Sequence, residues 1–302
     1  MFSFLPGPVR GVLGIFLTLA NTLFWITLLI PVAIVKFIIP LIPLRKLCNI
    51  VLNWICTTWA NINKLNINIL LGIKWEIDTP DDLSMDKWYL VISNHQSWAD
   101  ILVLQYVLNN VIPYFRFFLK SQLKWFPLLN IAWWALDYPY MTRYSKDYLK
   151  KNPHMKGKDL DTTRKSCEKF RDTPVAIMNF VEGTRFRDEK HEKQNSPYNH
   201  LLRPSAGGIS FVIDAMGEQL TSILDVTIAY PQGRLEIWDF MCGRVPEVRV
   251  KVRSIQLTDD IIGDYFNDES FKKRFQSWLN NLWAEKDRLM DTMLKSLMSK
   301  NA

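Results

Sequence analysis

The chain has 302 residues, enough for one large domain or two small ones with a full hydrophobic core. Hydrophobic residues make up 48 % of the chain, which is too apolar for an intrinsically disordered protein. The formal net charge is +7, and its location along the chain is more informative than its size. The four cysteines have neither CxxC nor zinc-site spacing, which argues against a disulfide framework and a zinc site.

The N-terminal segment contains an uncharged run from Gly11 to Val35. Its 25 residues exceed the roughly 20 needed to cross a bilayer core, and they are too many for the apolar part of a signal peptide. We therefore predict a membrane anchor over residues 1–45. Pro31 interrupts the run, so a single crossing and a helix that kinks and returns within one leaflet are both compatible with it. A buried core helix is the remaining alternative.

Residues 46–75 follow with apolar side chains at helical spacing and with polar positions that are mostly Asn and Thr. We predict an amphipathic helix here, either at the membrane interface or in the core of a domain. Basic residues are more numerous after the apolar run than before it, which favours a cytoplasmic location for the remainder of the chain, residues 76–302.

After the predicted amphipathic helix, strand and helix patterns alternate to the end of the chain. We predict strands at 72–77, 88–93, 116–120, 138–142, 174–180, 221–230, 234–240 and 248–255, and helices at 101–108, 121–136, 159–171, 204–216 and from 271 to the C-terminus. Such alternation predicts an α/β fold: a mixed, mostly central sheet flanked by helices, preceded by the membrane-embedded helical segment.

A basic stretch lies between Met141 and Arg171, with ten Lys or Arg and four Asp or Glu. This local excess of six nearly equals the net charge of the chain. An ordinary solvated surface explains such a run as well as an anionic membrane surface or a phosphate-bearing ligand does. No nucleic-acid-binding motif accompanies the stretch, so we do not expect a nucleic-acid partner.

The segment VISNHQSWAD, residues 91–100, ends a predicted strand and begins a helix. A capping box in which Ser97 is the N-cap and Asp100 the N3 residue turns the Asp100 carboxylate back toward the helix start. His95 lies just before this cap, so we expect His95 and Asp100 to meet although their spacing is wrong for contact within one helix. A carboxylate on one imidazole nitrogen would make the other nitrogen a general base, whereas an ordinary cap beside a surface histidine is the simpler alternative.

The motif NHQSWAD and a second motif, FVEGTR at 180–185, resemble the N-H-x-x-x-x-D and F-P-E-G-T-R blocks of PlsC-type glycerolipid acyltransferases, the lysophosphatidate acyltransferase family. Val181 replaces the usual proline. Segments 120–143, 201–209 and 223–231 are similar to the other blocks in the right order, and the resemblance covers about 88–231.

The resemblance implies transfer of a fatty acyl chain from an acyl-CoA, or an acyl carrier protein, to the free hydroxyl of a lysophospholipid acceptor. His95 would be the general base, and Asp100 would hold it; neither a metal ion nor a cofactor is implied. The residues expected around the acceptor phosphate are Glu182, Gly183, Thr184 and Arg185, with further contacts from Lys120, Lys124 and Arg143. Each of these last three basic residues is equally consistent with a side chain reaching toward the membrane surface.

Three functions remain open at this point. The favoured one is a membrane-bound 1-acyl-glycerol-3-phosphate acyltransferase that forms phosphatidate at a bacterial inner membrane, with its catalytic domain on the cytoplasmic side. The second uses another lysophospholipid such as lysophosphatidylglycerol, because Ser205 stands where many family members carry a basic residue. The third is a non-catalytic, membrane-anchored interaction protein.

Overall fold

The computed structural model describes residues 4–117, 119–120, 127–138, 140–141, 167–170 and 173–295. Helices α1 (Gly7–Ile38) and α2 (Ile42–Leu70) form an N-terminal hairpin. The turn between them spans 39–41, so α1 continues through Pro31 and the chain returns only after Ile38. The predicted boundary at residue 45 therefore falls in the first turn of α2, and the predicted helix over 46–75 is the second arm of one hairpin.

Polar contacts hold the two arms together. Asn21 of α1 donates hydrogen bonds to the Asn63 side chain at 2.8 Å and to the Trp59 carbonyl at 3.0 Å, and the Trp59 indole donates to Thr22 at 3.1 Å. α2 is joined in the same way to the rest of the protein, since Asn109 donates to the Asn61 side chain at 2.9 Å. The Asn-rich face of α2 therefore packs against other segments of the protein.

The remaining elements alternate strands and helices. The strands are β1 (Lys74–Asp78), β2 (Tyr89–Ser93), β3 (Phe115–Phe117), β4 (Leu119–Lys120), β5 (Tyr140–Met141), β6 (Ala176–Phe180), β7 (Ser222–Ala229) and β8 (Glu247–Gln256). The helices are α3 (Ala99–Leu108), α4 (Pro127–Ala135), α5 (Asp188–Gln194), α6 (Ala206–Met216), α7 (Ile237–Met241) and α8 (Glu269–Lys295).

Among the described residues, the main sheet has six strands in the order β1-β8-β7-β2-β6-β3. Strands β7, β2, β6 and β3 are parallel, whereas β8 is antiparallel to β7 and carries β1 parallel to itself. The central strand β2 is buried along its whole length. The mixed central sheet with flanking helices confirms the predicted fold class.

The sheet separates two hydrophobic clusters. On one face, residues of α3 and α7 such as Leu104 and Phe240 pack with Val91 of β2. On the other face, Ile209 of α6 and Phe275 of α8 pack with Leu90. The alternation of neighbouring β2 side chains between two apolar faces explains why the strand is hydrophobic throughout and not alternating in polarity.

One predicted strand is wrong. Residues 234–240 alternate in hydrophobicity, but the structure places the helix α7 at Ile237–Met241. A reciprocal capping box between Glu236 and Asp239 starts this helix, and the backbone N–H of Glu236 donates to the Asp239 carboxylate at 3.3 Å. The helix α5 was not predicted, and the helix predicted at 159–171 lies mostly outside the described residues, apart from a 3₁₀ turn at Glu168–Phe170.

Both ends of α1 contact the α/β part of the protein. Near its N-terminus, a Cβ at Gly11 would lie 2.8 Å from the Cys242 sulfur, so only glycine allows this close approach to the end of α7. Near its C-terminus, the buried Lys36 ammonium pairs with Asp137 and donates to the Ala135 carbonyl at 2.8 Å. The hairpin therefore lies along the α/β part and does not project from it.

The opposite side of the hairpin exposes large apolar residues along its length: Val12, Phe16, Leu19, Leu23, Phe24, Phe37, Ile38, Ile42, Leu47, Ile50 and Trp54. α1 is the one helix of the described segments that is long and apolar enough to cross a membrane. A continuous apolar surface of this kind favours association with a membrane.

Candidate active site

Three neighbouring strands end at the same edge of the sheet and carry the motif residues there. Ser93, the last residue of β2, is in register with Phe180 at the end of β6 and with Val226 in β7. His95 follows β2, Glu182 follows β6 and Tyr230 follows β7. The carboxyl edge of parallel strands is where open α/β sheets bind ligands, so two motifs far apart in the sequence meet at a suitable place.

His95 and Asp100 are in contact, as the sequence predicts. The His95 Nδ1 atom lies 2.9 Å from Asp100 Oδ2, and the Asp100 side chain is fully buried in the first turn of α3. The same carboxylate oxygen accepts the backbone N–H groups of Gln96 at 2.6 Å and Ser97 at 2.9 Å. Because a carboxylate only accepts hydrogen bonds, the Nδ1 atom carries the proton toward Asp100.

The helix start differs in detail from the predicted capping box. α3 begins at Ala99 with Trp98 as its N-cap, and the Ser97 hydroxyl accepts the N–H of Ala99 at 3.2 Å, where the box requires the N–H of Asp100. Only the carboxylate half of the box is present, in the bond from the Ser97 N–H to Asp100. The Asp100 N–H instead donates to the Ser97 carbonyl at 3.2 Å. The Ser97 hydroxyl is therefore available to the Ala99 N–H, in a turn that is one residue shorter than the capping box.

The His95 ring is fixed on several sides. It stacks on the Phe180 ring at a centroid distance of 3.9 Å and an angle of 12°. The His95 carbonyl accepts the N–H of Phe186 at 2.7 Å, which joins the two motif loops. The Nε2 atom has no hydrogen-bond partner among the described residues, and the side chain remains 11 % exposed. Nε2 can therefore accept a proton from a group that reaches it from outside.

Glu182 lies beneath the histidine. Its two carboxylate oxygens accept backbone N–H groups, one from His95 and one from Leu202, each at 3.0 Å. Burial raises the pKa of the Glu182 carboxyl to about 8, since desolvation penalises its charged form more than the two N–H donors stabilise it. The Glu182 side chain thus points into the protein, where its two hydrogen bonds connect the His95 loop to the loop of Leu202.

The loop after Glu182 turns sharply and presents Arg185, and Lys190 of the following helix α5 lies beside it. Gly183 has a φ of +69°, which is unfavourable for other residues, and its N–H donates to the Phe180 carbonyl at 2.9 Å. The Arg185 guanidinium lies over the Trp98 ring at 4.7 Å, and no carboxylate in the described part of the chain pairs with it. The Lys190 ammonium contacts the Thr184 hydroxyl and the Arg185 carbonyl.

The other predicted substrate contacts are less well placed. Lys120 ends the short strand β4 and is in register with Met141 of β5, but this strand pair does not belong to the main sheet. Arg143 and Lys124 lie outside the described residues, as does most of the basic stretch 141–171. Their assignment to substrate binding stays a prediction, as does that of Glu182, Gly183, Thr184 and Arg185.

Two residues of the site were not selected from the sequence. Asn94 is fully buried, and its side-chain amide both accepts from the Ile228 N–H and donates to the Ile228 carbonyl at 2.9 Å, which fastens the His95 loop to β7. Tyr230 donates its hydroxyl proton to Asp100 Oδ1 at 2.7 Å. Only the position of Asn94 directly before the histidine could have drawn attention to it, and Tyr230 lies far away in the sequence.

A sequence model of the acyltransferase family matches residues 74–231, just over half of the chain, and this range contains both motifs. The chain belongs to the acyltransferase family. His95 and Asp100 both lie within the matched region. The resemblance predicted from the sequence is therefore confirmed at the level of the enzyme family.

Individual relatives agree with the family assignment. Lysocardiolipin acyltransferase 1 of Danio rerio is 24 % identical over 85 % of this chain and 66 % of its own length. The mouse 1-acyl-sn-glycerol-3-phosphate acyltransferase epsilon is 23 % identical over 69 % of this chain and 59 % of its own. The chain spans about three fifths of the length of the curated relatives it matches.

A solved structure shows the same fold. The 1-acyl-sn-glycerophosphate acyltransferase PlsC of Thermotoga maritima superposes with a TM-score of 0.52 at 16 % sequence identity, covering 93 % of this chain and 98 % of that one. Because the alignment covers nearly all of both chains, the shared fold includes the N-terminal hairpin region and not only the sheet.

Proposed function

We propose that the protein transfers a fatty acyl chain from an acyl-CoA, or an acyl carrier protein, to the free hydroxyl of 1-acyl-glycerol-3-phosphate, which yields phosphatidate. The observation that carries the proposal is the His95–Asp100 contact at 2.9 Å. Within the described residues, Nε2 of His95 has no hydrogen-bond partner, and Arg185 on the adjoining loop has no carboxylate partner. The family assignment supports the reaction class, whereas the acceptor, the donor and the residue roles belong to the proposal.

In the proposed mechanism, His95 Nε2 takes the proton of the acceptor hydroxyl as the hydroxyl oxygen attacks the thioester carbonyl carbon. The tetrahedral intermediate then collapses, the carbon–sulfur bond breaks, and the leaving thiolate recovers the proton from the imidazolium. Asp100 keeps the proton on Nδ1 and stabilises the imidazolium in between. Burial of Asp100 supports this role, because its charge is not screened by water.

The acceptor phosphate is held by Arg185 in this proposal. A guanidinium can offer two parallel N–H groups to a phosphate, and stacking on Trp98 restricts its orientation before the lipid binds. Lys190 of the following helix α5 adds a second positive charge next to Thr184. Trp98 follows His95 closely in the chain and is 52 % exposed, so a phosphate bound to Arg185 would bring the acceptor close to the base.

The hairpin anchors the enzyme in one leaflet in this account. Contacts of both α1 ends with the α/β part support the arrangement, because a helix crossing the bilayer would carry one end away from that domain. The exposed apolar side of the hairpin would then enter the acyl region next to the active site. We place the α/β part on the cytoplasmic side of a bacterial inner membrane, where the four buried, unpaired cysteines remain reduced.

A larger lysophospholipid is the second candidate acceptor. Relatives named lysocardiolipin acyltransferase 1, from zebrafish, chicken and mouse, align over 82–85 % of this chain, whereas those named 1-acyl-sn-glycerol-3-phosphate acyltransferase align over 69–71 %. The names of the lysocardiolipin relatives motivate an acceptor with a phosphodiester head group, such as lysophosphatidylglycerol, as the second candidate. A membrane-anchored interaction protein without catalysis is the alternative from another class, and it would not need His95.

A direct assay separates these functions. Purified protein is incubated with radiolabelled acyl-CoA or acyl carrier protein and with each of three acceptors: lysophosphatidate, lysophosphatidylglycerol and lysophosphatidylcholine. We expect the highest kcat/KM with lysophosphatidate and loss of product with His95→Ala. A higher kcat/KM with lysophosphatidylglycerol would establish the second acceptor, and absence of product with every donor and acceptor would refute the enzymatic proposal.

A further inference from the structure

The Asp100 carboxylate has a second partner besides His95. The Tyr230 hydroxyl donates a hydrogen bond to Asp100 Oδ1 at 2.7 Å, on the oxygen that does not contact the histidine. Tyr230 is 1 % exposed and Asp100 is fully buried, so water does not replace this bond. Tyr230 directly follows β7, the strand that lies beside β2 in the sheet.

The hydrogen bonds of Asp100 divide unequally between its two oxygens. Oδ2 accepts from His95 Nδ1 and from the backbone N–H groups of Gln96 and Ser97. Oδ1 accepts from Tyr230, its one hydrogen-bond donor among the described residues. Removing the tyrosine hydroxyl would therefore leave Oδ1 buried without a donor and would free the carboxylate to rotate about its last bond.

We propose that Tyr230 is a positioning residue of the His95–Asp100 pair: its hydroxyl fixes the plane of the Asp100 carboxylate and lowers its basicity, so that Asp100 orients His95 without holding the proton too tightly. The inference rests on the proposed function, in which His95 Nε2 is the base. Tyr230 acts through Asp100 and does not contact the substrate in this account.

The tyrosine is suited to this role because it stays protonated. Burial raises the pKa of the Tyr230 hydroxyl well above its usual range, and the negative charge of Asp100 acts in the same direction. The hydroxyl therefore remains a donor throughout the pH range in which the enzyme can be assayed. A phenylalanine at this position keeps the ring and removes only that donor.

Other charged groups at this edge of the sheet keep their partners when the hydroxyl is removed. Glu182, which follows β6, is bonded to the N–H groups of His95 and Leu202. Lys286 of α8 is fully buried and paired with Asp225 of β7 at 2.6 Å. Asp100 and Lys286 both act electrostatically on Glu182, but neither Glu182 nor Lys286 is bonded to Tyr230 within the described residues.

The first test compares Tyr230→Phe with Tyr89→Phe. Tyr89 is also 1 % exposed, and its hydroxyl accepts the Ser84 N–H at 3.0 Å at the opposite end of β2. We expect Tyr230→Phe to lower kcat roughly tenfold, which corresponds to the free energy of one hydrogen bond to a charged group. The KM values of this variant for acceptor and donor should not change. The acidic limb of its pH–kcat/KM profile should move to higher pH, and Tyr89→Phe should show neither change.

The second test does not depend on turnover. The chain contains four histidines, so the ring signals of ¹³C-labelled histidine can be assigned in detergent by comparison with His95→Gln. In Tyr230→Phe the His95 signal should change at a higher pH than in the unaltered protein and in Tyr89→Phe. If acyl transfer is absent, the proposed function fails and this measurement still decides the role of Tyr230. An unchanged His95 titration, or an unchanged kcat and pH profile, would overturn the inference.

Discussion

The backbone N–H of His95 donates a hydrogen bond to the Glu182 carboxylate at 3.0 Å, so a residue of the second motif holds the loop that carries the first. The other oxygen of Glu182 accepts the Leu202 N–H, and that loop is in turn bonded to the Asp287 carboxylate of α8 through the N–H groups of Asn199 and His200 at 2.8 Å. The position of His95 therefore depends on contacts that extend to the C-terminal helix.

Substituting Glu182 separates a positioning role from substrate binding. In Glu182→Gln the amide has one accepting oxygen for two N–H groups, and its NH₂ group faces the other donor. We expect kcat to fall by about tenfold or more while the acceptor KM stays within about twofold, because a buried donor is left unsatisfied next to the base. Steady-state kinetics with both substrates provide the measurement. A large rise in acceptor KM at constant kcat would instead support direct contact with the lipid.

The buried Glu182 also predicts a pH dependence of stability. Its pKa is raised from 4.5 to about 8 in the folded protein, so the folded state holds this proton more tightly than the unfolded state does. The stability that this proton contributes is fully present below the pKa of the unfolded state and is lost as the pH rises through the pKa of the folded state. The free energy of unfolding then falls by at most about 1.4 kcal/mol per pH unit.

Thermal unfolding in detergent between pH 5 and 9 checks this dependence. The Tm of the unaltered protein should fall more steeply with rising pH than that of Glu182→Gln, whose side chain does not titrate. Parallel curves for the two proteins would show that Glu182 is already ionised in the folded state over this range.

Arg185 distinguishes the two candidate acceptors. A lysophosphatidate offers a phosphate monoester with more charge and more free oxygens than a phosphodiester, so Arg185→Lys should raise KM more for lysophosphatidate than for lysophosphatidylglycerol. An ammonium cannot reproduce the two-point contact of a guanidinium. The neighbouring Arg187, which is exposed, provides a matched control as Arg187→Lys. A change confined to the acyl-CoA KM would assign Arg185 to the donor site.

The hairpin predicts that both ends of α1 lie on the same side of the membrane. Single cysteines replace Phe4, which is 76 % exposed, and the exposed Arg45 just after the hairpin turn, and Ile262→Cys reports the side of the α/β part. The four native cysteines are buried and give little background. With a membrane-impermeant maleimide, all three variants should react in vesicles of the same orientation. Reaction of the Phe4 and Arg45 variants in vesicles of opposite orientation would mean that α1 crosses the bilayer.

Local features of the site could be predicted from the sequence. The contact of His95 with Asp100 depends on ten residues at one strand–helix junction, where the spacing and the helix geometry decide which side chains meet. The turn at Gly183 is also local, since the positive φ requires glycine. The prediction of a capping box at Ser97 was partly wrong. A serine hydroxyl can accept the N–H of the residue two or three positions ahead, and the sequence does not show which of these two turns forms.

Contacts between distant segments could not be predicted in this way. Tyr230 reaches Asp100 because β7 lies beside β2, and the order of strands in the sheet is not encoded in any single segment. The same limit applies to Glu182, whose role depends on the loop of Leu202. The segment at 234–240 was misassigned because seven residues of alternating polarity fit a strand, while the Glu236–Asp239 capping box starts a short helix.

The most direct test of the account is single-turnover acyl transfer by His95→Ala. The variant should remain folded and membrane-bound, with a Tm and vesicle binding close to those of the unaltered protein. Its rate constant for acylation of lysophosphatidate should fall by about 10²–10⁴-fold, the usual contribution of a positioned general base. A folded His95→Ala protein that transfers the acyl chain at nearly the original rate would contradict the assignment of His95 as the base.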